Sequence, residues 1–111
     1  MMSRPRNTKK GGLVEFLVYK EGKTFVGVCL TFDIIEEGKD PHKLMQSVRE
    51  AALGHLRTVR DLGLSDELLN RHAPKEYWQK YEALQSARKL TPSPYEFSAM
   101  TYPQFLATIN A

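Results

Sequence analysis

The stretch from Asp40 to Gly63, DPHKLMQSVREAALGHLRTVRDLG, constrains the fold more than any other part of the chain. Leu44, Met45, Val48, Ala52, Leu56, Val59 and Leu62 recur at three- and four-residue spacing, which lines them up as one apolar stripe on an α-helix. Lys43, Glu50, Arg57 and Asp61 fall largely off that stripe. Asp40 is suited to accept hydrogen bonds from the orphan amides at the start of the helix, and Pro41 is tolerated at its first position. Gly63 is suited to stop it. A helix with one apolar stripe needs an apolar surface to lie on, and the residues before it predict a sheet.

In LVEFLVYK, Val14, Phe16 and Val18 alternate with Leu13, Glu15, Leu17 and Tyr19, the two-residue period of a strand with both faces defined. Glu21-Gly22-Lys23 reads as a tight turn, and TFVGVCL as the second strand of an antiparallel hairpin. Gly27 inside it marks a bulge or a close neighbouring backbone. DIIEE is a shorter third run, ended by Gly38.

Beyond the helix, Ser65-Asp66-Glu67 caps a short helix to about Arg71, and a longer one runs from Pro74 to about Lys89. Tyr77, Tyr81 and Leu84 share a stripe on it, with Trp78 beside them. After the break Thr91-Pro92-Ser93-Pro94, YEFSAMTY predicts a fourth strand, and a last turn follows around Phe105 to Ile109.

The chain has 111 residues, the size of one domain. One cysteine, Cys29, sits in an apolar run and has no second thiol to bridge, so a buried thiol in a cytoplasmic protein is expected. No apolar run spans a bilayer, and the basic, polar N-terminus is not a secretory signal. The net charge is +3, and its placement is the informative part: Arg4, Arg6, Lys9 and Lys10 precede any acid. Without those four, the sixteen basic residues fall to twelve against thirteen acidic ones. Residues 1–12 are therefore expected to be a disordered basic arm, with nucleic acid as its alternative use.

Two strands, a short third, a Gly turn and an amphipathic helix resemble the HicB-like antitoxin family. The residues that carry the resemblance are EEGKDPHKLMQSVREAALGHL, Glu36 to Leu56, preceded by FVGVCL. The resemblance spans residues 13–64 and implies a reduced ribonuclease-H-like α+β core in β-β-β-α-β order. Its last strand would lie beside the first, with residues 65–111 supplying extra helices and the closing strand and tail. It also implies a non-enzymatic protein that binds and silences a small toxin ribonuclease and associates as dimers or larger assemblies. The corner Cys29-Leu30-Thr31-Phe32-Asp33 lacks the family's proline and glycine, and no helix pair for DNA follows Pro74, so operator binding is not carried over.

Catalysis is not expected. Two-metal hydrolysis needs converging carboxylates, yet Asp40 is better used as a cap, Glu50 lies off the stripe, and Glu36 and Glu37 point to opposite faces of a strand. His42, His55 and His72 have no zinc spacing, so neither a metal nor another cofactor is expected. A sheet covered by one helix on one face leaves the other face and an edge to be covered or defended. The Trp78 helix and the aromatic tail are the candidates: they fold back, exchange with a second copy, or dock on a partner. This aromatic surplus predicts a homo-oligomer. Partner contacts are expected at Asp33, Glu36 and Glu37 on the sheet edge, and at Trp78, Tyr81, Tyr95 and Phe97. Under the alternative, nucleic acid would be bound by Arg4, Arg6, Lys9 and Lys10.

Overall fold

The computed structural model describes residues 6–87 and 96–105. Strands β1 (Leu13–Glu21), β2 (Thr24–Cys29), β3 (Ile34–Gly38) and β4 (Glu96–Thr101) form one antiparallel sheet in the order β3-β2-β1-β4. Helix α1 (Pro41–Asp61), a single 3-10 turn (Asp66–Leu69) and helix α2 (Lys75–Ala87) come between β3 and β4. The chain is thus mixed α+β. No helix among the described residues is long and apolar enough to cross a membrane.

A helix packs on each face of the sheet. Val14, Phe16 and Val18 of β1 meet Met45, Val48, Ala52 and Leu56 of α1 in one buried cluster. The alternate residues Leu17 and Tyr19 join Val26, Val28 and Leu30 in a second cluster, which Ala73 and Tyr81 complete. The alternation that predicts two faces for β1 is therefore the one that divides the core.

Gly27 causes no bulge, since its pairing with Val18 and Glu36 is continuous. A Cβ there would lie 2.8 Å from side-chain carbons of Leu44 and Val48. Its hydrogen is what lets α1 approach the sheet.

Helix α1 begins as its sequence predicts. Asp40 Oδ1 accepts from the amides of His42 and Lys43 at 2.9 and 3.2 Å. Those backbone bonds hold the Asp40 carboxyl below its usual range. The helix ends one residue earlier than its apolar stripe suggests. Leu64 donates to Val59 and Gly63 to Arg60, with Gly63 at φ 61, a Schellman stop. That turn rotates Leu62 out of the stripe and leaves it 68% exposed, while Leu53, off the expected set, is buried.

The corner after β2 lacks proline and glycine because it is core. Leu30 enters the cluster under α2, and Phe32 enters the one under α1, where it packs on the His55 ring at 4.9 Å. Asp33 then turns the chain at φ 58, a left-handed conformation that Asp tolerates better than most residues. The loop before α2 seals this corner, with the amides of His72 and Ala73 donating to Thr31 and Leu30 carbonyls at 3.1 and 2.7 Å.

Residues 1–5 of the arm expected to be disordered lie outside the described residues. From Arg6 onward the arm is strapped across the 3-10 turn. The Asn7 amide donates to Asn70 Oδ1 at 2.7 Å, and Asn70 Nδ2 donates back to the Asn7 carbonyl at 2.8 Å. The Asn7 side chain accepts from the Leu13 amide and donates to the carbonyls of Leu13 and Leu69. Lys9 Nζ donates to Asp66 Oδ1 at 2.8 Å and to the Leu64 carbonyl at 2.7 Å. These bonds give the arm local partners, and the Lys9 ammonium holds the Asp66 carboxyl below its usual range.

Candidate partner-binding edge

Among the described residues, strand β3 has a neighbour on one side only, β2. Alternate main-chain N–H and C=O groups along an outer strand point away from the sheet and are free to pair with another strand. The residues of β3 divide between the two faces. Ile34 packs against the α1 cluster, and Glu36 Oε1 accepts from Ser47 Oγ of α1 at 2.6 Å. Ile35 and Glu37 lie opposite Val28 and Val26, on the face that α2 covers. That cover stops short of them: Ile35 is 43% exposed and Glu37 is exposed. Asp33, at the left-handed corner before β3, is exposed as well. The three expected edge acids thus border one strand, with Glu36 tied to α1 and Glu37 on the opposite face.

The aromatic residues expected at the same surface are placed differently. Tyr81 is 1% exposed and belongs to the core. The partner contact expected of it is an intramolecular one, because α2 folds back and its stripe lands on β1 and β2. Trp78 is half-buried beside it, edge-on to the Tyr81 ring at 6.0 Å and 5.6 Å from the His72 ring. Phe97 lies in β4 across from Leu17. Tyr95, like Arg4, lies outside the described residues. Of the aromatic surplus that predicts an oligomer, Tyr81, Tyr102 and Phe105 are buried within the chain and Trp78 is half-buried.

Of the basic arm, Arg6 and Lys10 are exposed, while Lys9 is bound to Asp66. On α1, the Arg49 guanidinium sits 5.9 Å from the centre of the Phe16 ring, at the rim of the core rather than on an outward basic stripe. Asn7 and Asn70 escape sequence reasoning. They are 63 residues apart, and nothing local in either stretch signals the other.

Two further candidates find structural roles. The Cys29 thiol is buried in the α1 cluster, and burial pushes it up to about 12, far from a reactive thiolate. Among the described residues, no three His, Cys, Asp or Glu side chains converge as a metal would need. Asp40 caps α1, and Glu50 accepts from Gln46 at 3.4 Å.

No family model matches the chain, and neither a curated protein nor a solved structure matches it. The edge described above is thus read on its own geometry: it can accept main-chain hydrogen bonds and present acids on both sides of them.

Proposed function

We propose that this chain is a non-enzymatic, HicB-like protein of the cytoplasm that acts as an antitoxin, binding and inhibiting a small partner such as a toxin ribonuclease. The observation that carries the reading is the β3 edge, one of the two outer strands of the described sheet and the one whose Ile35 and Glu37 stand exposed beyond the cover of α2. Around it stand Asp33, Glu36 and Glu37, a charge pattern suited to a basic partner such as an RNA-cleaving protein. The strand order β3-β2-β1-β4, with α1 across one face, supports the resemblance carried by Glu36 to Leu56.

The test is co-expression with the product of an adjacent small reading frame. This chain is expected to relieve the growth arrest that product causes and to co-purify with it. Failure of the wild-type chain to do either removes the reading. Nucleic-acid binding by the arm has less support, because Lys9 is engaged with Asp66 and the Leu64 carbonyl, leaving Arg6 and Lys10 as its exposed described cations.

A further inference from the structure

We infer that the β3 edge takes one extended strand from a basic partner protein and rejects a second copy of this chain. The inference rests on the partner-binding reading above and adds the manner of binding and the chemistry of the strand.

The edge itself supplies the argument. A sheet continued across a two-fold axis pairs each β3 residue with a residue of the same face in the other copy. The antiparallel register that uses all five residues of β3 centres on Glu36 and sets it opposite its own copy. Centring on Glu37 sets that acid opposite its copy instead. Centring on Ile35 avoids both contacts but keeps only three of the five residues paired. Like charges directly opposite destabilise a strand pair, so each register loses either charge balance or length. Lys39, just beyond the strand, is exposed; in the Glu36-centred register it would face Asp33 of the other copy, whose left-handed backbone lies outside the strand.

A foreign strand meets no such conflict. Lysine or arginine opposite Glu37 on one face and Glu36 on the other would be favourable cross-strand pairs, and an apolar residue beside Ile35 would cover its exposed surface. The main-chain bonds supply attraction and the alternating side chains supply selection, the division of labour in strand addition. Glu36 is already fixed by Ser47 Oγ, so one acid is held in place before a partner arrives.

The chain can serve as its own probe. Wild-type protein carries an acidic β3, and the Glu36→Lys/Glu37→Lys variant carries a basic one on the same scaffold. Sedimentation equilibrium at low salt and sub-millimolar concentration is expected to show each alone as a 12.7 kDa monomer. Their equimolar mixture is expected to approach twice that mass, with slowed amide exchange at residues 34–38, and to dissociate as salt rises. Because Glu36→Lys also removes the Ser47 bond, Glu37→Lys alone serves as a second variant that leaves that bond in place. It should associate with wild type more weakly than the double variant. Monomers in both mixtures, with the variants folded by circular dichroism, overturn the inference. So does a wild-type homodimer that protects residues 34–38. If the mixtures stay monomeric while the chain still neutralises a co-expressed partner, strand addition falls and partner binding stands.

Discussion

The two faces of the sheet are covered by helices of unequal reach. Helix α1 runs 21 residues and lays seven buried side chains on β1, β2 and β3. Helix α2 runs 13 residues. It places Tyr81 fully inside, leaves Tyr77, Trp78 and Leu84 half-buried, and ends its cover before Ile35 and Glu37. Even within its footprint, α2 keeps polar ends near the surface: the Lys80 ammonium lies 4.9 Å from the centre of the Tyr19 ring. One face is thus closed by α1 across β1, β2 and β3, and the other is closed by α2 over β1 and β2 but not over the exposed Ile35 and Glu37 of β3. The outer strand that α1 supports from below is bare from above, and that asymmetry is what leaves a place for another polypeptide.

Breaking the closed face should have the largest effect. Phe16 is fully buried under α1 and packs on Phe105 at 5.5 Å, so Phe16→Ala is expected to cost about 3–5 kcal/mol in urea unfolding. A loss under about 1 kcal/mol would mean that α1 does not close this face as described.

The strap belongs to the same closed side and comes next. Asn7 is buried and bonded to three backbone groups, so Asn7→Ala should cost about 1–3 kcal/mol by orphaning them. A loss well below about 1 kcal/mol would place the strap's contribution elsewhere.

Alkaline pH probes both faces at once. Burial raises Cys29 on the α1 side and Tyr19 on the α2 side, each to about 12, with Glu21 adding to the rise at Tyr19. Each group is neutral in the fold where the unfolded chain would already ionise. Stability is therefore complete below the ordinary values of 9.0 and 10.0 and declines as pH climbs from there toward about 12. Urea midpoints measured at rising pH should fall across that window. Cys29→Ala should remove the part that begins near 9, and a decline unaltered by that change would acquit the thiol.

The smallest effect is expected at the open edge. Ile35→Ala should change stability by less than about 0.5 kcal/mol, as at other exposed positions, while weakening partner capture in the co-expression assay. A large stability loss would mean that Ile35 is core, and that the second face is closed further than its exposure indicates.

Where the sequence repeats a period, it was legible. The alternation in Leu13 to Tyr19 assigns the two faces of β1, and the stripe from Leu44 to Val59 locates α1 and its cap. Leu62 continues that stripe in sequence but not in space, because a left-handed Gly63 turns the chain one residue sooner than apolar spacing reveals. The position of α2 was harder to read. Tyr77, Trp78 and Tyr81 suit a core, an interface or a swapped contact equally, and only the fold-back fixed by the Leu30–Ala73 backbone bond decides between them. The strap was not legible at all, since composition marks Lys9 as a loose cation and says nothing of Asp66 or Asn70. At the edge, the acids were visible in sequence, but the exposure of Ile35 depends on where α2 ends.

Native-state amide exchange followed by NMR tests the central claim most directly, because it compares the two covers and the edge in one experiment. With the isolated chain, Phe16 and Leu17 of β1 and the middle of α2 around Tyr81 should exchange slowly, while alternate amides of Ile34–Gly38 exchange fast. Protection throughout β3 equal to that of β1 would contradict an open edge, and rapid exchange throughout α2 would contradict a second face covered within the chain.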